Sequence, residues 1–291
     1  MKKQNFSRIK GKKHDSSIIT RQKKYITKER AKYPALAEKI VQMSDIILEV
    51  LDARFIEETR NFELEEQIKK LDKKIIYVFN KSDLIDVKKV KEEEIFELNP
   101  KVFVSCIKRK GIKELRNKIK ITSYNVEKPV DKFLDKITVG IIGYPNTGKS
   151  SVINILLGKP VAGVGSDAGF TKGIQKANLT SKIVLLDSPG IIPQEKYSDS
   201  RIQAISQHTK VGARSHSQVK NPEIVISNLM REFPGLFEKF YKVSPEGDSE
   251  VLIEKLGRKK GFLKKGNEVD EDKTSRLILR DWQDGKIRGT F

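Results

Sequence analysis

Two short motifs occur in this chain in an unusual order. The segment "GYPNTGKS" (143–150) has the spacing of glycine, lysine and serine that is typical of a loop binding nucleotide phosphates. It stands near the middle of the chain, and "NKSD" (80–83), a turn of the kind that recognises a nucleotide base, precedes it. In ordinary nucleotide-binding domains the phosphate loop comes first. Either one motif is accidental, or the domain has been cut open and rejoined in a new order.

Short apolar runs alternate with helix-like segments on both sides of the phosphate loop. The runs predicted to be strands are 46–52, 74–80, 101–106, 136–143, 173–180 and 182–190. Where helices of about a dozen residues separate the strands, the strands usually lie parallel, and ligands bind beyond their C-terminal ends. The pattern therefore predicts an α/β fold with a mostly parallel sheet, and it places both motifs at the ends of strands.

The phosphate loop contains the residue types that its chemistry needs. Gly143 and Gly148 allow the backbone to curl so that successive N–H groups point inward, and the helix that follows adds its dipole. Lys149 is predicted to reach the β- and γ-phosphates, and Ser150 to ligate Mg²⁺. The loop residues predicted to bind the nucleotide are Asn146, Thr147, Gly148, Lys149, Ser150 and Ser151.

The segment "DSPG" (187–190) supplies an acid at the end of a neighbouring strand. Asp187 is predicted to hold a Mg²⁺-bound water, and the N–H of Gly190 to meet the γ-phosphate. Thr171, in the glycine-rich segment between the two motifs, has a hydroxyl suited to Mg²⁺. The predicted metal ligands are Ser150, Thr171 and Asp187. The predicted catalytic residues are Lys149, Thr171, Gly190 and Asn146.

The base is predicted from "NKSD" and from the strand end that follows it. Asp83 can accept hydrogen bonds from both N1–H and the N2 amine of guanine, a pattern that adenine lacks. Asn80 would brace the loop, and the stem of Lys81 would lie over the ring. The backbone of Ser105 and Cys106 could touch the guanine oxygen. GTP and GDP are therefore the predicted ligands.

Taken in order, "NKSD", "SC" (105–106), "GYPNTGKS", Thr171 and "DSPG" resemble the motifs of the circularly permuted GTPases. The segment "LDARFIEETRN" (51–61) resembles the Asp-Ala-Arg signature of their ribosome-assembly branch, which contains ribosome biogenesis GTPase A and the nucleolar GTPases. The likeness covers roughly residues 35–195. It implies that both motifs are real and that the chain is a circularly permuted P-loop GTPase domain followed by a small C-terminal helical domain. It also implies a switch that hydrolyses GTP and binds ribosomal RNA during assembly of the large ribosomal subunit.

Many GTPases have a glutamine directly after the "DxxG" glycine, where it orients the attacking water. This chain has Ile191 there, as the family does, which implies slow intrinsic hydrolysis. Asn146 resembles the loop asparagine that helps coordinate K⁺ in potassium-dependent relatives. The alternative is that Asn146 only shapes the loop, because asparagine is a common turn-former.

The charge of the chain predicts a polyanionic partner. Lysine and arginine number 58 against 39 aspartates and glutamates, giving a formal net charge of +19. The excess is concentrated in residues 1–33 and in "KLGRKKGFLKKG" (255–266). Clusters of one sign attract RNA, and together with the family resemblance they favour ribosomal RNA and a large-subunit precursor. A surface that is charged only for solubility is the alternative.

We expect a basic N-terminal arm (1–34), a permuted GTPase domain (35–200) and a helical RNA-binding domain (215–291). Between the last two lies a polar, serine-rich junction in which His208 and His216 are expected to be exposed or RNA-facing. Trp282 is expected in the core of the helices, because it lies four residues after Ile278 on an apolar stripe.

Cys106, the one cysteine, and the lack of a long apolar run predict a cytoplasmic protein that does not enter a membrane. Two other functions stay open from the sequence. One is a GTP-dependent factor in tRNA modification, although no cysteine or histidine cluster suggests modification chemistry. The other is an RNA-binding module in which hydrolysis is secondary.

Overall fold

The computed structural model describes residues 36–90, 95–127, 136–159, 175–187, 206, 208–212, 214–244 and 247–288. The predicted N-terminal arm lies outside these ranges. Within them the chain forms one six-stranded sheet, helices on both of its faces, and a group of C-terminal helices.

The sheet has the predicted mostly parallel character. Its strands are β1 (Ile46–Asp52), β2 (Lys74–Asn80), β3 (Lys101–Phe103), β4 (Ile137–Ile142), β5 (Gln175–Asn178) and β6 (Ile183–Asp187). Their order is β3-β2-β1-β4-β6-β5, and only the pairing of β5 with β6 is antiparallel. The α/β fold class is therefore confirmed.

The helices are α1 (36–43), α2 (Ile56–Thr59), α3 (Phe62–Lys70), α4 (Ile112–Tyr124), α5 (Lys149–Leu157), α6 (Pro222–Glu232), α7 (Leu236–Tyr241), α8 (Ser249–Lys260) and α9 (Glu271–Gln283). Short 3₁₀ turns occupy Ser82–Leu84, Val87–Lys89 and His216–Gln218. No helix in the described ranges is both long enough and apolar enough to cross a bilayer.

Several strands are shorter than the sequence predicts: β4 lacks one residue at each end, β5 ends at Asn178 instead of residue 180, and β3 differs most. The apolar run 101–106 continues past the end of β3, but the chain turns back there, and Ser105 and Lys110 exchange two backbone hydrogen bonds of 3.1 Å. Val104 still donates to the Phe79 carbonyl of β2 at 2.8 Å, so the regular strand ends because the chain turns toward Lys110. An apolar run shows which residues are buried but not where such a turn begins.

Alternate residues of β1 pack on opposite faces of the sheet, as the geometry of a strand requires. Ile46 and Leu48 join the apolar cluster of α4 and α5, whereas Ile47 joins the cluster of α1 and α3. Both faces are therefore covered, which is why every residue of β1 is buried.

The adjacency of β1 and β4 locates the ligand site. From β1 the chain builds the sheet outward through β2 and β3, and from β4 it builds outward on the other side. Ligands of doubly wound sheets bind at such a switch point, beyond the C-terminal ends of the strands. Asp52 ends β1 here, and the phosphate loop follows β4.

The C-terminal helices and the α/β layer share one apolar core. Phe55 and Tyr144 from the α/β layer belong to the same buried cluster as Phe237, Ile278 and Trp282. Trp282 has no exposed surface, which confirms its predicted place in the core. The expectation that His208 is exposed or RNA-facing was wrong: its side chain is buried with 4% exposure, because the junction folds back under α9.

One buried carboxyl group lies away from the ligand site. Glu49 of β1 is fully buried and its Oε1 accepts from the backbone N–H of Asn61 at 3.0 Å. Burial and the neighbouring Glu65 carboxylate raise the pKa of Glu49 well above its ordinary value, against the opposing effects of the Asn61 hydrogen bond and Arg60. The folded protein therefore favours the protonated form of Glu49 more than the unfolded chain does.

Replacing Glu49 with glutamine should stabilise the protein at neutral pH. Glu49 keeps its proton in the folded state after the same carboxyl has ionised in the unfolded chain, so stability falls as the pH rises above the ordinary value of 4.5. Glutamine removes that loss because it does not ionise. Urea unfolding from about pH 5 to pH 8 should show the two free energies of unfolding diverging with pH.

The matched control for this measurement is Glu66→Gln on α3, whose side chain is 71% exposed. It should follow the wild type at every pH. Parallel curves for wild type and Glu49→Gln would show that Glu49 is ionised in the folded state.

Candidate active site

The phosphate loop between β4 and α5 has a backbone that only certain residues can adopt. Gly143, Asn146 and Gly148 have φ angles of 144°, 59° and 94°. A Cβ on Gly143 would lie 2.3 Å from the carbonyl oxygen of Val50, and one on Gly148 would lie 2.2 Å from Nδ2 of Asn80. Glycine is thus required both by the curl of the loop and by the close approach of its neighbours.

Lys149 begins α5 and is buried beneath the loop. Its ammonium donates to the carbonyl oxygen of Tyr144 at 2.7 Å. Burial lowers the pKa of Lys149 to about 8, and the Asp187 carboxylate opposes this effect. The residue is suited to phosphate, because a bound anion would compensate for the burial of its charge.

Thr147 fixes the shape of the loop through its own side chain and backbone. The hydroxyl donates to the Tyr144 carbonyl at 3.0 Å, and the Thr147 carbonyl accepts from Nδ2 of Asn80 at 2.8 Å. The last bond joins the base-recognition motif directly to the phosphate loop. The second atom of the Asn80 amide, Oδ1, is buried and has no hydrogen-bond partner among the described residues.

Two predicted metal ligands lie together. The hydroxyl of Ser150 is 3.4 Å from Oδ2 of Asp187, and Asp187 is 2% exposed. A hydroxyl and a carboxylate at this separation fit the preference of Mg²⁺ for oxygen ligands. Groups of three or more histidine, cysteine, aspartate or glutamate residues that could bind a metal are absent from the described part of the chain. A cation here would thus take its remaining ligands from phosphate and water. Thr171, Gly190 and Ile191 lie outside the described residues.

The base-recognition motif follows β2. Oδ1 of Asp83 accepts from the hydroxyl of Ser105 at 2.5 Å, and the backbone N–H of Lys108 donates to that hydroxyl at 3.0 Å. Sequence reasoning gave Ser105 only a backbone role, whereas its side chain braces the carboxylate that is predicted to read guanine. Burial, followed by the Asp83 charge, raises the pKa of Cys106 to about 12. Its thiol is therefore a neutral wall of the site.

A single cavity joins the two motifs and extends to the C-terminal helices. From the α/β layer it is lined by Asn80, Lys81, Asp83, Leu84, Cys106, Ile107, Asn146, Gly148 and Ser151. From the C-terminal part it is lined by Gly212, His216, Gln283 and Asp284. Sequence reasoning missed this second set, because no motif marks these residues and they are far from the loop in the chain.

One contact links the phosphate loop to the junction before the helices. Nδ2 of Asn146 donates to the carbonyl oxygen of Gly212 at 2.8 Å. Gln283 holds the same junction by donating to the carbonyls of Thr209 and Arg214 at 3.0 and 2.8 Å. The orientation of the Asn146 amide thus depends on how the C-terminal part is packed.

The fold and the site define a P-loop domain in which the candidate base-recognition motif precedes the phosphate loop. A model of the 50S ribosome-binding GTPase family matches residues 138–232, from β4 to the end of α6. Two solved forms of YlqF, GDP-bound and, from T. maritima, GNP-bound, each align with a TM-score of 0.60 and 25% identity. The GNP-bound alignment covers 88% of this chain and 94% of that one.

Curated relatives agree with the structural match. An uncharacterized GTP-binding protein of Methanocaldococcus jannaschii is 41% identical over 258 residues, which cover 87% of this chain and 65% of that protein. Nucleolar GTP-binding protein 2 of Pneumocystis carinii is 37% identical over 262 residues, covering 86% of this chain and 51% of its own. The chain therefore has the fold of the circularly permuted GTPase YlqF, and nucleolar GTP-binding protein 2 is among its homologues. It spans less than two thirds of the length of these two curated relatives.

Replacing Asp83 with asparagine should transfer the preference of the site from guanine to xanthine nucleotides. The amide presents a donor where guanine also presents donors, so GDP affinity should fall by roughly a hundredfold while XDP affinity rises. Calorimetric titration with both nucleotides measures the change. Asp86→Asn is the matched control, because Asp86 caps a neighbouring 3₁₀ turn and does not line the cavity. Unchanged GDP affinity in Asp83→Asn would remove this carboxylate from the site.

Proposed function

We propose that this chain binds GTP and GDP with Mg²⁺, hydrolyses GTP slowly, and acts as a switch in large ribosomal subunit assembly. The observation that carries the nucleotide part is the 2.8 Å hydrogen bond from Asn80 to the Thr147 carbonyl. It holds the base-recognition motif and the phosphate loop together at the C-terminal ends of the parallel strands, so that one nucleotide would span both.

Each part of the nucleotide has a matching group. Asp83, held by Ser105, would accept from the guanine N1–H and N2 amine, and Asn80 would brace the base loop. Gly148, Ser151 and the first turn of α5 would surround the phosphates with backbone N–H groups.

The charged groups of the site would act on the terminal phosphates. Lys149, whose burial favours pairing with an anion, would bind the β- and γ-phosphates. Ser150 and Asp187, with Thr171, would hold Mg²⁺, which would neutralise charge on the phosphates. Gly190 would donate its N–H to the γ-phosphate.

The hydrolytic rate would be limited by the position of the attacking water. Ile191 stands where a glutamine orients water in many GTPases, and an aliphatic side chain forms no hydrogen bond to water. Asn146 is the polar residue of the loop that we assign to K⁺. The Nδ2 of Asn146 donates to the Gly212 carbonyl, so the Oδ1 atom of Asn146 lies on the other side of the amide group. Docking of the ribosomal partner would then complete the site.

The ribosomal part rests on the relatives and on charge. The matching family model describes 50S ribosome-binding GTPases, and relatives are named nucleolar GTP-binding proteins. In this chain the exposed end of α8 carries Lys260, and the following turn carries Lys265; neither has an acidic partner among the described residues. These side chains would contact RNA phosphates. We propose that the protein acts where large ribosomal subunits are assembled. In a cell without a nucleus, this place is the cytoplasm.

GTP hydrolysis should be slow in NaCl, several-fold faster in KCl, and faster again with large ribosomal subunits. A cation beside Asn146 would offset the charge that develops between the β- and γ-phosphates. Asn146→Ala should remove the difference between the two salts. Steady-state phosphate release in matched KCl and NaCl measures it, with the exposed Asn117→Ala on α4 as control. Equal wild-type rates in both salts would exclude K⁺ as a cofactor.

The affinity for large-subunit ribosomal RNA should fall steeply with salt. Removing Lys260 and Lys265 together should weaken binding by roughly three- to tenfold and lower the slope of log K against log salt by about 2. Filter binding between about 50 and 200 mM KCl measures both values. The matched control removes Lys69 and Lys70, two exposed lysines on α3 in the sheet layer. Equal losses in the two double variants would indicate a general charge effect rather than an RNA-binding face.

A further inference from the structure

The Asp-Ala-Arg signature at 52–54 has no task in the nucleotide chemistry described above. Its first and third side chains are nevertheless almost completely buried, with exposures of 0% for Asp52 and 1% for Arg54. Burying two charged groups is costly unless they have specific partners. The partners of these two residues therefore indicate what the signature does.

Asp52 connects the signature to the base motif. It is paired in register with Asn80 across β1 and β2, and its Oδ2 forms a 2.8 Å ion pair with the Lys81 ammonium. Burial alone would raise the pKa of Asp52, but Lys81 and Arg54 hold it well below its ordinary value. The carboxylate is therefore ionised, and it fixes the end of the lysine whose stem is assigned to the guanine ring.

Arg54 connects the same carboxylate to the C-terminal helices. Its Nε and Nη2 bind Asp52 at 3.0 and 2.8 Å, and its Nη1 donates to the backbone carbonyl of Trp282 at 3.2 Å. The guanidinium also lies 5.0 Å from the ring centre of Phe55 and 5.9 Å from that of Trp282. Only a planar group with several donors binds a carboxylate in two places and a carbonyl in a third.

A residue that follows α9 also contacts the segment directly after the base-recognition motif. Gly285, which follows the helix, is so close to Leu84 that a Cβ would lie 2.5 Å from its Cδ1. Asp284, the next residue toward the helix, lines the nucleotide cavity with Lys81. Lys81 therefore lies between a carboxylate of the α/β layer and the end of a helix from the C-terminal part.

We propose that Asp52 and Arg54 are positioning residues for guanine recognition, which hold Lys81 at the base only while α9 is seated against the α/β layer. Moving α9 away removes the carbonyl partner of Arg54 and exposes the ion pair to water. Lys81 is then less firmly held, and guanine affinity falls. Because linkage is reciprocal, a bound guanine base favours the seated position of α9 by the same factor.

This inference rests on the proposed binding of guanine nucleotides. It leads to a prediction that would not follow if Arg54 only stabilised the fold. Arg54 acts on the base end of the ligand through Lys81. Pyrophosphate would bind the backbone N–H groups of the phosphate loop and the Lys149 ammonium, all of which belong to the α/β layer. A change at Arg54 should therefore weaken GDP much more than pyrophosphate, which occupies the phosphate loop alone.

The test compares Arg54→Gln with wild type in calorimetric titrations of GDP and of pyrophosphate. We expect GDP affinity to fall by roughly tenfold or more, because a buried partner is removed from Asp52, while pyrophosphate affinity changes less than about twofold. Trp282 is the one tryptophan of the chain, so its fluorescence reports on α9 directly. Trp282 is buried while α9 is seated, so acrylamide should quench it weakly in wild type, and this protection should be reduced in Arg54→Gln.

Two further variants make the test decisive. Arg60→Gln removes a two-bond ion pair with Glu65 in the same segment, away from the cavity, and should leave both affinities and the protection of Trp282 unchanged. Arg54→Lys keeps the charge and serves if the glutamine variant does not fold; it should show the same selective loss of GDP. Equal losses for GDP and pyrophosphate, or an unchanged GDP affinity, would overturn the inference. A wild type that binds pyrophosphate but not GDP would overturn the proposed function itself.

Discussion

The parallel pairing of β1 with β4 is the constraint on which the whole site depends. Residues Ile46 to Glu49 of β1 pair with Val139 to Ile142 of β4, so β4 ends opposite Glu49 and β1 continues to Asp52 beside the phosphate loop. Most groups that would bind the nucleotide follow one of these ends or the end of a strand next to them, whereas Ser105 and Cys106 follow β3. The base motif follows β2, the phosphate loop follows β4, and Asp187 ends β6. Pairing of strands, not their order in the chain, assembles the site.

This distinction explains why the unusual motif order is compatible with a working site. A sheet is held by hydrogen bonds and by buried side chains on both faces, and neither depends on which strand is made first. Linkers on the surface can be cut and rejoined at much lower cost than strands. What permutation changes is the part of the chain that follows β6, where the next described elements belong to the C-terminal helices and not to the sheet. The helices then return to the end of β1, where Arg54 meets Trp282.

The sequence was sufficient for those features that are local in the chain. The strand runs, the curl around Gly143 and Gly148, and the acid at the end of β6 each follow from a few neighbouring residues. The bond from Arg54 to Trp282 joins residues separated by 228 positions, and no periodicity or spacing encodes it. The burial of His208 was missed for the same reason: polar composition indicates a surface segment, but a distant helix covers it. The composition of a segment shows which environments it can tolerate, whereas the packing of distant elements determines which residues it contacts.

A network of two buried charges, Asp52 and Arg54, with the partly buried Lys81 is a poor choice if stability alone matters. Apolar residues of the same volume often give equal or greater stability than a buried ion pair, while the loss of one partner costs several kcal/mol, on the order of 3–5. That asymmetry makes Lys81, Asp52 and Arg54 sensitive to a small displacement of the Trp282 carbonyl. An apolar contact weakens gradually as surfaces separate, because it depends on area. The energy of a charge network depends on geometry, so it changes over a short distance. That property suits a contact through which the position of α9 would affect the nucleotide site.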